Sequence, residues 1–154
     1  MGHRMIVPVP DRPELAPIAA TWLVDAFERH PGARTVEEMA ALLLAPPVGP
    51  EETFVLLDGG TPAGTASLTH SDLAARPDLT PWLAGVFVLP AFRGRGHATA
   101  LVRRVEAFAS AAAVRVLWLH TAAAEPLYAR LGWERGGLER DKGQEVVLMR
   151  RLLS

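Results

Sequence analysis

The sequence predicts an α/β fold of the α+β kind: a mixed, mostly antiparallel sheet of about six to seven strands flanked by four helices, in one domain over residues 1–154. Three observations predict it. Short apolar runs of strand character alternate with stretches whose apolar residues recur at helical spacing. Two of the runs are joined by the turn residues Asp58, Gly59 and Gly60, so part of the sheet is antiparallel. Two others, 82–89 and 114–119, are almost wholly apolar, which suits strands covered on both faces.

The elements follow in order. Residues 4–9 read as a first strand, ended by Pro10 to Pro13. Leu15, Ile18, Trp22 and Ala26 then recur at helical spacing, and His30, Pro31 and Gly32 break the helix. Thr35 and Glu38 form a capping box for a second helix, with Met39, Leu42 and Leu43 on one face and a stop before Pro46 and Pro47. Residues 54–57 and 63–69 make a hairpin, and the polar, proline-containing stretch 70–80 is a loop. The strand at 82–89 ends at Pro90. Leu101, Val105, Phe108 and Ala112 place one face of a third helix against the core. The strand at 114–119 leads to a short helix, Glu125 to Leu131, closed by Gly132. Residues 133–135 and 146–152 read as a closing pair of strands.

Composition narrows the function. A formal charge of −1 over 154 residues, with neither half strongly basic, argues against an electrostatic nucleic-acid binder. No cysteine is present, which removes disulfides, thiolate metal sites and any acyl relay through an enzyme thiol. The five histidines are scattered, none paired at i, i+4, so no metal is expected. Pro8 and Pro10 interrupt the apolar stretch that a signal peptide needs, and no run approaches the ~20 residues of a membrane span. The expectation is a cytoplasmic protein without membrane partners.

The most informative stretch is Arg93, Gly94, Arg95, Gly96, His97, Ala98, between an apolar strand and an amphipathic helix. A helix N-terminus presents unpaired N–H groups and the positive end of the macrodipole. Glycines let backbone approach an anion closely, and two arginines add mobile positive charge, so the stretch reads as a pyrophosphate cradle. It lacks the Gly-Lys-Ser/Thr of a nucleotide P-loop, and the Rossmann spacing fails at Thr99. From these letters alone, a turn that merely connects strand to helix is the competing reading.

The run from Val86 to Val102 resembles the central motif of the GNAT superfamily of acetyl-CoA-dependent N-acetyltransferases, Arg/Gln-x-x-Gly-x-Gly/Ala after a strand ending Val-x-Pro. Arg93, Gly96 and Ala98 fill the motif, and Val88 and Pro90 the strand end. A second stretch matches independently. Ala124, Leu127, Tyr128, Leu131 and Gly132 fit the family's Ala-x-x-Leu-Tyr-x-x-x-Gly-Phe helix, with Trp133 in place of Phe. The two matches stand at the family's usual separation.

The resemblance implies a GNAT-type fold and direct transfer of acetyl from acetyl-CoA, the cosubstrate, to a primary amine. The pantetheine arm would pair with the backbone of Val86, Phe87 and Val88, and the N–H groups from Gly94 through Arg95, Gly96, His97 and Ala98 to Thr99 would hold the pyrophosphate. His97 is expected to face the phosphates or solvent. Tyr128 would protonate the leaving thiolate; packing against the cofactor is the other reading of that residue. Where the family often has asparagine, this chain has Thr121, whose hydroxyl would bond the pantetheine.

The base is a departure from the family. Many members carry a glutamate on the strand before the glycines, yet Trp82, Leu83, Ala84, Gly85, Val86 and Phe87 include no acid. His120 at the end of the following strand, Asp72, His70 or an ordered water are the candidates. The loops and final strand pair that build the family's acceptor pocket here contain His30, Asp72, Asp78, Glu139 and Asp141, and the carboxylates among them suit a cationic small-molecule amine. A peptide acceptor, a cofactor-binding module without turnover and a non-CoA nucleotide binder are the competing functions. A homodimer is compatible with the sequence.

Overall fold

Among residues 3–47 and 49–153, the part of the chain that the computed structural model describes, seven strands form one sheet. Met1 and Gly2, included in the N-terminal reading, lie outside these residues. The strands are β1 (Arg4–Pro8), β2 (Glu52–Asp58), β3 (Thr61–Thr69), β4 (Trp82–Val88), β5 (Val116–Thr121), β6 (Glu134–Asp141) and β7 (Gln144–Leu152). Their order across the sheet is β1-β2-β3-β4-β5-β7-β6. Every neighbouring pair is antiparallel except β4 and β5. The helices are α1 (Ala16–Phe27), α2 (Val36–Leu44), α3 (His97–Ala111) and α4 (Glu125–Arg130). The mixed, mostly antiparallel sheet with four helices agrees with the fold class read from the sequence.

Strand alternation sends side chains to two cores. Phe54 and Leu56 join Leu101, Val102, Val105, Leu119, Tyr128 and Met149 on the α3 and α4 face. Val55 and Leu57 join Leu15, Ala16, Ala19 and Trp22 on the α1 face. Trp82, Leu73, Val146 and Leu148 form a third group, on the face opposite to Leu83 and Met149.

Several boundaries and faces differ from expectation. The buried stripe of α1 is Leu15, Ala16, Ala19, Ala20, Trp22 and Leu23, while Ile18 and Ala26 face solvent. Leu23 of this stripe seats against β4 where Gly85 has no side chain; a Cβ there would come 2.8 Å from Leu23 Cδ2. In α3, Leu101 and Val105 are buried as expected, but Phe108 is half-buried and Ala112 lies past the helix end, exposed. The sequence at 114–115 is not strand, because Ala113 turns with φ +65° before β5 begins at Val116. The capping box is present in full: Thr35 Oγ1 accepts from Glu38 N–H at 3.1 Å, and Glu38 Oε1 from Thr35 N–H at 2.9 Å. No residue of α2 is buried.

Candidate active site

The strand read as covered on both faces is only partly so. Trp82, Leu83 and Val88 are buried, whereas residues 84–87 are half-exposed. The cause is that β4 and β5 pair at a single position, Trp82 with Trp118, where Trp118 N–H donates to Pro81 O at 3.2 Å. Beyond it the strands part. On its other side β4 stays paired with β3, through a bulge: Ser67 opposes Ala84 but Thr65 opposes Phe87. Gly85 supplies the left-handed residue of that bulge, at φ +63°.

The backbone edge facing the gap can be assigned. Leu89 N–H bonds Ala63 O at 2.9 Å, so Leu89 and Phe87 point their peptide groups toward β3, and Phe87, expected with Val86 and Val88 to pair with the pantetheine arm, is turned away from the gap. By alternation Val86 and Val88 point theirs into the gap. Val88 O is already taken there, by Arg93 Nε at 2.9 Å. Val88 N–H and the peptide groups of Val86 face the gap, which fits an extended, amide-containing chain lying alongside β4.

The glycine turn stands at the end of this gap. A 3-10 turn, Pro90–Phe92, leads into Gly94 and Gly96, both at φ +79°, and Gly96 is the N-cap of α3. No side chain caps that end and its first turn holds no acid, so the orphan N–H groups and positive dipole are uncompensated from within the helix. The glycines are needed for their backbone conformation and not for lack of space. A Cβ on Gly94 meets nothing within 4 Å, and one on Gly96 only Arg4 Nη2 at 3.6 Å. Ala98 packs on the main core, and Thr99 is half-buried in the first turn.

Two expectations about this turn need correction. The arginines, expected as free positive charge, both have partners within the protein. Arg93 bonds Val88 O and lies 5.9 Å from the Phe87 ring centre; Arg95 Nη1 donates to Asp58 Oδ2 at 2.8 Å and lies 5.2 Å from the Phe92 ring centre. His97 faces neither phosphate nor solvent. It is 5% exposed and turned inward, with Nε2 2.8 Å from Asp58 Oδ2, because helix position 97 falls on the buried stripe with Leu101. Its Nδ1 is buried without a partner.

Tyr128 is buried on α4, edge-on to Trp133 at 6.2 Å between ring centres. Burial alone pushes its hydroxyl up to about 12, so it is held as a phenol. Thr121, at the end of β5, accepts Ala124 N–H on Oγ1 at 2.9 Å in the turn that leads to α4; its hydroxyl proton remains to be donated. Trp133 in turn is fixed by donating Nε1–H to Glu106 Oε2 at 3.0 Å, and Arg103 donates to the other oxygen at 2.8 Å.

Two of the base candidates prove to be one unit. His120 Nε2 lies 2.9 Å from Asp72 Oδ2, and its ring stands edge-on to Trp82 at 6.0 Å. Burial alone would lower the His120 pKa. The hydrogen bond and charge of Asp72, with the charge of Asp141, outweigh it, and the net direction is upward. His70 instead sits in the loop beside Thr80, whose Oγ1 donates to His70 O at 2.6 Å. Of the expected acceptor carboxylates, Asp78 and Glu139 are paired with Arg76 at 2.9 and 3.1 Å. His30 Nε2 lies 2.8 Å from Glu28. Asp58 and Glu106 are the residues that sequence reading missed. Asp58 was legible only as a turn former, and nothing local marks Glu106 beyond its place on the buried stripe.

Among the described residues no three His, Asp or Glu side chains are grouped to hold a metal ion, and no helix is long and apolar enough to cross a membrane. A model of the acetyltransferase (GNAT) family matches residues 17–133. Mycothiol acetyltransferase of Kineococcus radiotolerans is 37% identical over 119 residues, 76% of this chain but 38% of that protein, so the chain spans well under half the length of this curated relative. A Salmonella typhimurium protein solved with its cofactor acetyl-CoA superposes with a TM-score of 0.71 at 15% identity, over 99% of this chain and 94% of its own. A spermidine N-acetyltransferase variant of Vibrio cholerae does so with a TM-score of 0.72 at 16% identity, over 97% and 93%. Identities this low show a shared fold.

Proposed function

The chain belongs to the acetyltransferase (GNAT) family of acetyl-CoA-dependent enzymes, and from that membership we propose that it transfers acetyl directly to a primary amine of a small-molecule acceptor. The observation that carries the cofactor half of this reading is the parting of β4 from β5 beside an uncapped α3 N-terminus. Val88 N–H and the peptide groups of Val86 pair with the pantetheine arm, with Thr121 donating its hydroxyl proton from β5. Backbone N–H groups from Gly94 to Thr99 hold the pyrophosphate.

In the transfer, His120 takes a proton from the acceptor's ammonium group. The freed nitrogen attacks the thioester carbonyl carbon, the C–N bond forms and the C–S bond breaks. Tyr128 gives its proton to the departing sulfur, and the second proton lost by the nitrogen restores the phenol through solvent. The raised Tyr128 and His120 pKa values support these roles: the phenol stays protonated, and the imidazole is a stronger base than in water. Asp72 and Asp141 beside His120 favour a cationic acceptor. A small acceptor is supported by the 37%-identical relative, whose name specifies mycothiol.

The test is calorimetric titration with acetyl-CoA, coenzyme A and ATP, followed by turnover on matched panels of small amines and of peptides. Selective acetyl-CoA binding and turnover of small amines are expected. Binding no tighter than ATP overturns the cofactor reading, and turnover confined to peptides overturns the acceptor reading.

A further inference from the structure

We infer that Asp58 is a positioning residue for the pyrophosphate cradle, holding the glycine turn in its anion-binding shape from behind; the inference rests on the cofactor reading above. Asp58 ends β2 and opens the tight turn Gly59-Gly60 to β3. Aspartates at such turns are ordinarily solvated, yet this side chain is 7% exposed.

What covers it is the cradle. One oxygen, Oδ2, receives both Arg95 Nη1 and His97 Nε2 at 2.8 Å. Arg4, paired with Asp58 in the β1–β2 register, donates Nη2–H to Arg95 O at 2.8 Å. Three bonds from the β1–β2 edge therefore grip residues 95 and 97, on either side of the N-cap Gly96. The hydrogen bonds of His97 and Arg95 hold the Asp58 carboxyl below its ordinary range, so the anchor stays charged.

Phe92 and Ala98 pack the turn on the main core from one side, and the contacts to β1 and β2 are polar. A cavity of about 580 Å³ is lined by Arg4, Asp58, Arg95 and His97, so the turn is held on that side by polar tethers. The two glycines flanking Arg95 leave the backbone otherwise free to rearrange. A loose turn would have to be ordered by each arriving pyrophosphate, at the expense of affinity. Tethered to β1 and β2, it meets the anion with its N–H groups already set. Arg95 serves this geometry as a strut and is withheld from direct phosphate contact.

The experiment compares calorimetric affinities for acetyl-CoA and for acetyl-pantetheine, which keeps the arm and thioester but lacks the pyrophosphate and nucleotide. Asp58→Ala should weaken acetyl-CoA on the order of 10- to 100-fold, the range for removing partners that orient a binding group, and leave acetyl-pantetheine unchanged. Asp58→Asn, which keeps one acceptor oxygen, should fall between. Arg4→Ala removes one tether from an exposed side chain and should give a smaller loss of the same kind, readable even if Asp58→Ala does not fold. Equal weakening of both ligands, an unchanged ratio, or tighter acetyl-CoA binding through a released Arg95 would each overturn the inference. A wild-type protein that does not distinguish the two ligands overturns the cradle itself, and the inference with it.

Discussion

Replacing Tyr128 with Phe removes one oxygen and keeps the ring, its packing in the main core and its edge-on contact with Trp133. The probe therefore isolates the hydroxyl. Burial pushes that hydroxyl up to about 12, while a free thiol titrates near ~8.5. Moving a proton completely from this phenol to a free thiolate is uphill by about 3.5 units, roughly 4–5 kcal/mol. Protonation ahead of bond cleavage is too steep. In the proposed reaction the phenol would instead share its hydrogen with sulfur as negative charge develops, and the gain belongs at the lower end of the roughly 10²–10⁴-fold range for acid–base catalysis. The expected loss in kcat is about 100-fold, or ~2.7 kcal/mol of transition-state stabilisation. The KM for acetyl-CoA should change by less than about threefold, because the interaction strengthens only in the transition state. Because the folded pKa is raised, the protonated acid persists across the pH range of ordinary assays and adds no inflection of its own. Single-turnover kinetics with saturating acceptor separate chemistry from product release. An unchanged single-turnover rate in Tyr128→Phe would refute the acid role.

The other predictions concern the base, the cradle and the second helix. His120 is a base only when neutral, so the rate should fall as pH drops through its raised pKa; Asp72→Asn leaves burial as the dominant influence and should move that acid limb to lower pH, while His120→Ala should abolish it. A pH–rate profile unmoved by either change assigns the limb to another group. Gly96→Glu forces a side chain into a left-handed position and brings a carboxylate to the helix N-terminus beside Arg4, where it opposes an anion and competes for the Arg4 tether, so acetyl-CoA should give no heat at concentrations that saturate the wild type; retained binding would remove Gly96 from the site. Thr35→Ala breaks the capping box of a helix with no buried residue. It should lower hydrogen-exchange protection across residues 36–44 by about 1 kcal/mol with little change in global unfolding; a matching fall in the denaturant midpoint would show instead that α2 unfolds only with the core.

Local chemistry made much of the fold legible. The capping box needs only Thr35 and Glu38, and the first hairpin only its Asp-Gly-Gly turn, so both were readable from a few adjacent letters. The two family motifs placed Arg93 to Ala98 at a helix N-terminus and Tyr128 on a short helix, as the structure has them. What periodicity could not give was which of several overlapping apolar stripes faces the sheet. Ile18 is more apolar than Ala19, yet Ala19 is buried, because the helix turns the stripe with Ala16, Ala19, Trp22 and Leu23 to the sheet and Ile18 falls outside it. The apolar run in β4 concealed the gap for a related reason: partial exposure there comes from the loss of a neighbouring strand, which leaves no mark on the run itself. The pairs Asp58–His97 and Asp72–His120 join residues 39 and 48 positions apart, and only the assembled sheet brings them together.

The arrangement of the proposed acid and base follows from strand alternation. On β5, Leu119 faces the core shared with Tyr128 and α3, and His120 faces Trp82 on the other side of the sheet. Tyr128 and His120 therefore lie on opposite faces of the sheet, and in the proposed reaction the amine would approach from the His120 face and sulfur would depart on the Tyr128 face. A slip of β5 by one residue against β7 would exchange those faces. It is opposed by the register itself. Leu119 pairs with Met149 and His120 with Leu148, and Met149 and Leu148 are both buried, one in each core. The apolar pattern that fixes β5 in the sheet is thus also what keeps the proposed donor and acceptor on separate faces, and on that proposal a change in β7 that loosens register should disturb catalysis before it unfolds the chain.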